Sequence, residues 1–236
     1  MKDKFLEEIL DEIHRVRAEH AAEFNHDLKA MLDDLRRHEA LAKARGVKFL
    51  SPPKDRRRPC GKIIPQIEME TTMDSVTRKQ RVYVETSVVS CLTARPSRND
   101  VMQTATKLWW QKYQPQCEAI VSELVDLEIE EGDADAVRRR QESVAMLPRV
   151  RITDETSVLA KRLLQVHALP AVAQDDAMHV ALAAVHTMDI LLTWNCRHIA
   201  NGRTMSKILD TITEAKYKPP MIMTPTFFLE TMGESL

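Results

Sequence analysis

The sequence lacks any long apolar run, any paired metal-binding cysteines and any marked excess of charge of one sign. A helix that crosses a bilayer needs roughly 20 consecutive apolar residues, and no segment approaches that length. The start of the chain, residues 1–12, is charged and has no apolar region of the signal-peptide kind. We therefore expect a cytoplasmic protein that has no membrane partner.

The cysteines argue against a cysteine-ligated metal site, and the charge balance argues against binding of nucleic acid through overall charge. None of the four cysteines forms a CxxC pair or another metal-ligand spacing, so we expect reduced thiols without a functional role. With 34 basic and 35 acidic residues, the formal net charge is −1, so any contact with RNA must come from local patches. The 236 residues, 44% of them hydrophobic, can bury the core of one large or two small domains.

The N-terminal part of the chain predicts a helical segment, a basic tail and a linker. Before Gly46 there is no Pro or Gly, and apolar residues recur every three or four positions, which predicts one or two amphipathic helices. Residues 43–62 hold eight basic residues against one acid, among three prolines, which is typical of an extended tail. We assign residues 1–58 to the helical segment with its tail and 59–80 to a linker, in which Met73 is a second candidate start.

From residue 81 onward, short β-branched strands alternate with helices. This alternation predicts an α/β sandwich with a mostly parallel sheet over residues 81–236, preceded by the amphipathic helical segment. The predicted strands lie near 81–85, 118–121, 150–153, 189–193 and 220–223. The predicted helices lie near 86–93, 99–113, 122–131, 134–147, 155–167, 175–187 and 206–217.

Three acids and one amide stand where predicted strands end or helices begin. Glu85 ends the first strand and Asn195 follows the fourth, while Glu123 and Asp176 begin helices. The functional cleft of a parallel sheet lies outside the carboxyl ends of its strands, so we expect the four side chains to converge there. Carboxylate oxygens are ligands that Mg²⁺ and Mn²⁺ prefer, and either ion would activate water for phosphodiester hydrolysis. Glu85, Glu123 and Asp176 are therefore the candidate metal ligands.

The acids at the predicted helix starts also have a structural interpretation, which suits Glu85 less well because it ends an apolar strand. Asp175 and Asp176 favour the start of a helix, and so does Glu123 after Ser122. His179 lies one turn after Asp176, where it is either a partner of the metal ligands or a packed core residue.

A zinc site made of histidines is a weaker alternative. His179 and His186 belong to one predicted helix, and His198 follows later in the chain. Beyond that helix no spacing matches a known pair of zinc ligands.

Four segments, in this order, resemble a known family. They read VYVETSVVS (82–90), VSELV (121–125), DDAMHVALA (175–183) and DILLTWNCRHI (189–199). Together they resemble the PIN-domain ribonucleases of the VapC toxin type. The resemblance implies a PIN-like fold and an RNA endonuclease that uses Mg²⁺ or Mn²⁺.

The resemblance also implies roles for individual residues. Glu85, Glu123 and Asp176 fall on the positions of the metal ligands. The fourth family acid, usually Asp, falls on Asn195, whose amide oxygen can ligate an ion but brings no charge, so the presence of a second metal is left open. Nearby hydroxyl groups are candidate partners of water or phosphate, with helix capping as the alternative: Thr86, Ser87 and Thr193.

The N-terminal segment carries a resemblance of its own. VRAEHAAEFNHDLKAMLDDLRRHEA (16–40), followed by FLSPPKDRRR (49–58), resembles the short antitoxin-type proteins usually encoded upstream of VapC-type ribonucleases. Residues 1–58 carry 14 basic against 12 acidic residues, net +2, and residues 59–236 carry 20 against 23, net −3, so the two parts are mildly complementary. The resemblance implies a toxin fused to its own inhibitor. The candidate inhibitory residues, expected to contact the acidic cleft in cis, are Arg56, Arg57 and Arg58.

Three classes of function follow from these patterns. The first is a metal-dependent ribonuclease restrained by its own N-terminal segment. The second is a catalytically silent PIN module that binds RNA or protein, which Asn195 in place of an Asp makes conceivable. The third is an α/β domain that binds a small molecule or a protein. The N-terminal helices could instead serve oligomerisation, and a homodimer is left open.

Overall fold

The computed structural model of the chain describes residues 28–50, 78–95 and 101–234, together with the single residues 15, 22 and 24. The predicted inhibitory arginines at 56–58 and the candidate start at Met73 lie outside the described residues.

Six parallel strands form one sheet in the order β1-β4-β3-β2-β5-β6. Five of them lie close to the predicted strands, and every pairing in the described part of the chain is parallel. The predicted α/β fold is therefore confirmed. The strands are β1 (Phe49–Leu50), β2 (Arg81–Val84), β3 (Glu118–Ser122), β4 (Arg149–Val150), β5 (Ile190–Leu192) and β6 (Met221–Met223).

Nine α-helices are described, and seven of them correspond to the helices predicted after residue 81. They are α1 (Leu28–Ala44), α2 (Thr86–Thr93), α3 (Val101–Leu108), α4 (Glu123–Ile129), α5 (Ala134–Val144), α6 (Asp154–Gln165), α7 (Gln174–Val185), α8 (Met205–Glu214) and α9 (Pro225–Thr231). No helix in the described ranges combines the length and the apolar character that crossing a membrane requires.

Strand β2 lies at the centre of the sheet because it is apolar on both faces. Its last three residues are completely buried, as expected of a strand that is covered on both sides. Tyr83 is in register with Ile120 of β3 and Leu191 of β5. The backbone N–H of Glu85 continues this ladder by donating to the carbonyl of Leu192 at 3.1 Å. The Glu85 side chain is therefore placed at the carboxyl edge of the central strand.

Helix α7 is almost completely buried, which is unusual for a helix that begins with two acids. From Asp175 to Val185 every residue is buried, and the helix packs against α6 and β5. Small side chains such as Ala181 and Ala184, both fully buried, allow this close packing. The consequence is that α7 carries Asp176 and His179 into the interior beside β2.

The N-terminal segment forms part of the same sheet. Helix α1 ends before Gly46, which has φ +83°, a conformation that glycine adopts without strain, and Val47 N–H donates back to the Ala42 carbonyl at 3.2 Å. The chain then runs along β4, where the Lys48 carbonyl accepts from Arg149 N–H at 2.8 Å. The sequence predicts an extended tail here. In the structure, residues 49 and 50 of that tail pair with the edge of β4 and form strand β1.

Two further elements differ from the prediction. The helix predicted over 99–113 is α-helical only over Val101–Leu108 and continues as a π-helical turn over Trp109–Tyr113. Helix α9 was not predicted, although Thr224 caps it by accepting from Phe227 N–H and Pro225 occupies its first turn.

Candidate metal centre

Glu85 is held in a fixed orientation where β2 meets α2. Its carboxylate oxygen Oε2 accepts a hydrogen bond from Ser87 N–H at 3.2 Å and caps α2. The Ser87 hydroxyl donates to the same oxygen, and so does the Thr193 hydroxyl at 2.8 Å. Glu85 is completely buried. A strand end, a helix start and the loop after β5 therefore fix this carboxylate together.

Glu128 and His179 complete a buried group with Glu85. His179 Nε2 lies 3.0 Å from Glu128 Oε2 and 3.9 Å from Glu85 Oε1. One ligand atom from each of the three residues lies within 4.8 Å of the other two. The Thr86 hydroxyl also donates to Glu128. Helices α4 and α7 and strand β2 thus bring together three side chains of the kind that hold metal ions.

The opposite side of the His179 ring is held by two hydroxyl groups. His179 Nδ1 lies 2.7 Å from the Tyr83 hydroxyl, which lies 2.7 Å from Ser122 Oγ. When His179 Nε2 donates to Glu128, Nδ1 accepts a hydrogen bond from the Tyr83 hydroxyl. When Nε2 ligates an ion instead, Nδ1 carries the proton and donates to Tyr83. The Tyr83–Ser122 pair suits both arrangements because each hydroxyl can donate and accept.

Asp176 and Asn195 form a second group connected to the first. Asn195 Nδ2 donates to Asp176 Oδ1 at 2.9 Å, and His198 Nδ1 lies 2.6 Å from Asp176 Oδ2. Asn195 Oδ1 accepts from His198 N–H at 3.1 Å. Asn195 N–H donates to the Thr193 hydroxyl at 2.9 Å, the same hydroxyl that contacts Glu85. Glu85, Asp176 and Asn195, three of the four predicted site residues, therefore share one hydrogen-bond network.

Glu123, the fourth predicted site residue, is not a member of the Glu85–Glu128–His179 group that the described residues form. Its Oε1 accepts from Ile152 N–H at 2.5 Å. Burial raises the pKa of Glu123 to about 7, although the hydrogen bond from Ile152 lowers it. Five residues along a helix correspond to a rotation of about 140°, so Glu123 and Glu128 face different neighbours. The structure places Glu128, instead of Glu123, beside Glu85.

The predicted hydroxyl groups contact the carboxylates. Thr86 donates to Glu128, while Ser87 and Thr193 donate to Glu85. All three hydroxyl residues are at most 1% exposed. Their observed role is to orient the acids, and the predicted contacts with water or phosphate stay a prediction.

The three histidines of the zinc alternative have separate partners. His179 contacts Glu128, His198 contacts Asp176, and His186 Nε2 lies 2.8 Å from the Arg151 carbonyl. These partners do not bring the three rings to one centre.

The sequence-based interpretation missed Glu128 and Tyr83 and gave His198 no more than a place in the zinc alternative. A signal was present for Glu128, because it follows Leu124 and Val125 by four and three residues and so lies on the apolar face of α4. A carboxylate on a buried face needs a partner. The Tyr83 hydroxyl, inside a strand covered on both faces, gives the same kind of signal.

The Glu85–Glu128–His179 group fits a divalent ion. It offers two carboxylates and one imidazole with ligand atoms close enough to share one ion. Two buried carboxylates at this separation repel each other unless a proton or a cation offsets their charge. Mg²⁺ keeps largely to oxygen ligands and water, so the imidazole nitrogen favours a divalent ion that also accepts nitrogen.

Comparison of the chain with protein-family models, curated proteins and solved structures finds no match.

Proposed function

We propose that this protein is a metal-dependent endoribonuclease with a PIN-like domain and an antitoxin-like N-terminal segment in one chain. The observation that carries the proposal is the buried Glu85–Glu128–His179 group beside the central strand of a parallel sheet. Functional sites of such sheets lie at the carboxyl ends of the strands. The four segments that resemble VapC-type ribonucleases support RNA as the substrate.

In this proposal each residue of the network has one task. Glu85, Glu128 and His179 hold the ion, and Asp176 adds negative charge to the adjoining group. When bound, Mn²⁺ or Mg²⁺ activates water and offsets the charge that develops on the phosphodiester. Asn195 holds Asp176 in place. The hydroxyl residues that hold the other carboxylates are Thr86, Ser87 and Thr193.

Cleavage of labelled single-stranded RNA by the full-length chain tests the proposal and decides between Glu123 and Glu128. Glu85→Ala and Glu128→Ala should each reduce Mn²⁺-dependent cleavage by about 100-fold or more, because each removes a ligand. Glu123→Ala should cleave at nearly the rate of the parent protein, because Glu123 lies outside the group.

The matched control is Glu142→Ala, which changes an exposed glutamate on α5. Circular dichroism verifies that each variant is folded. Unchanged cleavage by the Glu85 and Glu128 variants would show that the ligand assignment is wrong. Loss of cleavage in the Glu123 variant alone would instead restore the sequence-based choice of ligand.

A PIN-like module that binds RNA or protein without cleavage is the second candidate. It is favoured by burial, since Glu85, Glu128, Asp176 and His179 are all at most 5% exposed. A substrate phosphate must therefore reach side chains that are covered in this conformation. A silent module would raise the fluorescence anisotropy of labelled RNA in a titration, both with and without Mn²⁺. It would release no cleavage product.

Restraint of the site by the arginines at 56–58 belongs to the same proposal. Strand β1 is parallel to the other strands, so Leu50 lies at the same edge of the sheet as Glu85. Three strand spacings separate β1 from β2, which amounts to about 14 Å. The six residues from Leu50 to Arg56 can span up to about 20 Å. An arginine that reaches Glu85 would compete with the ion for the carboxylate.

Charge changes in the full-length chain test this restraint without removing α1 or β1. Replacing Arg56, Arg57 and Arg58 by Gln should raise RNA cleavage if the arginines inhibit. The control replaces three basic residues elsewhere on the surface by Gln: Arg138, Lys161 and Lys207. A lower rate in the first variant would indicate that the arginines recruit RNA, and an equal rate would end the inhibition hypothesis.

A further inference from the structure

A cavity of about 260 Å³ lies between helix α1 on one side and helices α4 and α5 on the other. Glu123 lines this cavity, whereas Glu85, Glu128 and His179 do not. Its volume is slightly below that of pockets for drug-sized ligands, about 300 to 1,000 Å³, and far above the roughly 30 Å³ share of one water molecule. The space suits a small organic molecule.

Glu123 is the buried polar side chain of the cavity wall that lacks a full set of partners. The residue is 5% exposed, and its Oε1 accepts from Ile152 N–H. Its other oxygen, Oε2, is buried without a hydrogen-bond partner. Leaving a buried carboxylate oxygen without a donor is costly. Oε2 has almost no accessible surface in this conformation, so a donor in the cavity reaches it after the Glu123 side chain rotates towards the space that the residue lines.

Two other acids of the wall already have cationic partners. Glu39 Oε1 lies 2.5 Å from Lys43 Nζ and 3.0 Å from Arg151 Nε. Asp126 accepts two hydrogen bonds from Arg149, at 3.2 and 3.1 Å. Glu123, in contrast, is buried and forms no ion pair with the described residues.

The surrounding charges favour a singly charged group over a divalent ion. Arg45 and Arg149 also line the cavity and would repel a second positive charge. Glu130 also lines the cavity, but its side chain is 34% exposed, so water screens its charge. One ammonium or guanidinium group would form a neutral pair with Glu123 and would supply the missing donor.

Most of the rest of the wall is aliphatic, with Gln141 and His38 as the polar exceptions. The cavity is also lined by Ala42, Val47, Ile129 and Val144. Apolar walls with a few placed polar groups are typical of small-molecule sites. The occupant therefore needs a hydrocarbon body next to its cationic group.

We propose that this cavity binds a small aliphatic amine or guanidine, whose cationic group pairs with Glu123 and whose hydrocarbon body packs against the aliphatic wall. Because α1 forms one side of the cavity, the ligand bridges the N-terminal helix to α4. Binding therefore stabilises the docking of α1 on the domain.

The ionisation of Glu123 makes this binding dependent on pH. Burial raises the Glu123 pKa to about 7, with Glu39 and Asp126 adding to the increase and Ile152 N–H and Arg151 opposing it. The carboxylate is charged at about pH 8 and protonated at about pH 5.5, so the cation binds more tightly at the higher pH.

Calorimetric titration of the full-length chain with n-butylguanidinium tests the proposal. The matched ligand is n-butylurea, which has nearly the same shape and no charge. At about pH 8, n-butylguanidinium should bind, and n-butylurea should bind at least about tenfold more weakly, because the charge-assisted hydrogen bond to Glu123 is absent. Lowering the pH to about 5.5 should weaken n-butylguanidinium to a similar degree.

Variants of the cavity wall complete the test. Glu123→Gln should weaken n-butylguanidinium about tenfold, and Glu142→Gln, the same change at an exposed position, should leave it unchanged. Ala42→Leu fills the cavity without altering a charge and should also weaken binding. The proposal is overturned if the parent protein does not bind n-butylguanidinium, if Glu123→Gln binds it equally well, or if Mg²⁺ displaces it, which would indicate a metal site instead.

Discussion

Glu123 and Glu128 lie five residues apart on one helix, yet they meet different surroundings. Both are 5% exposed, so burial alone does not distinguish them. Glu128 contacts Thr86 and His179, which hold it in the candidate metal centre. Glu123 contacts Ile152 and retains an oxygen without a partner. Because of these partners, Glu128 is suited to hold an ion, whereas Glu123 destabilises the fold when it is charged.

Replacing Glu123 by Gln should therefore stabilise the protein at about pH 8 and have little effect at about pH 4. The folded-state pKa of about 7 lies above the ordinary value of 4.5, so the stability due to this group is present below about pH 4.5 and is lost as the pH rises through about 7. The gain in the variant should reach up to about 3 kcal/mol. Urea unfolding at both pH values measures it, with Glu142→Gln as the control, and an equal effect at both pH values would contradict this account.

Replacing Asn195 by Asp should make stability depend on metal. The new carboxylate would stand where the Asn195 amide donates to Asp176 at 2.9 Å, so a hydrogen bond becomes a repulsion. Without metal we expect a loss of about 1–3 kcal/mol, and Mn²⁺ should restore part of it. Thermal unfolding in EDTA and in Mn²⁺ measures both effects. Asn201→Asp, where the side chain contacts the backbone of Arg197 and Arg203, is the control. Equal behaviour of the two variants would count against a cation near Asp176.

At the scale of elements, the N-terminal segment joins the domain at one edge of the sheet, through the short strand β1. Strand β1 has two half-buried residues, and it pairs with a strand that is itself two residues long. Arg151 adds a contact by placing its guanidinium 4.8 Å from the centre of the Phe49 ring, and it also pairs with Glu39 of α1. Arg151 therefore contacts both elements of this segment, in addition to the β1–β4 pairing and the packing of α1 against α4.

Hydrogen exchange should show this difference between elements. Amides of β1 should exchange at least about tenfold faster than those of β6, the strand at the opposite edge, because β1 can open without unfolding the centre of the sheet. Arg151→Gln should increase exchange in α1 and β1 and leave β6 unchanged. Mass-spectrometric exchange measures all three elements in one experiment. Equal protection of β1 and β6 would show that the N-terminal segment unfolds only with the whole domain.

At the scale of the whole molecule, a bound ion should stabilise the fold, because one ligand follows β2 and the other two lie on α4 and α7. An ion present at about 100 times its dissociation constant adds about 2.7 kcal/mol. Mn²⁺ should therefore raise the unfolding temperature of the parent protein and of Glu123→Ala, but not that of Glu85→Ala or Glu128→Ala. Differential scanning fluorimetry with and without EDTA measures this shift. A shift that all four proteins share would mean that the ion binds elsewhere.

The sequence by itself determined the order of the elements and the place of Glu85. The alternation of short apolar strands and helices is a local pattern, and five strands and seven helices could be predicted from it. Glu85 follows a strand that is apolar on both faces, and Asp176 begins an apolar helix, so both were assigned to the site without knowledge of the packing. Local periodicity specifies such positions because they depend on neighbours in the sequence.

Only the tertiary structure decided which acid of α4 lies beside Glu85 and that residues 49–50 form a strand. The rotation of a helix about its axis is set by what it packs against, and the partners lie far away in the sequence: Glu128 contacts His179, 51 residues on, and Glu85 contacts Thr193, 108 residues on. Strand β1 forms because β4, about 100 residues later, offers an unpaired edge. Contacts over such separations leave no periodic pattern in the sequence, and so they are decided by the folded chain as a whole.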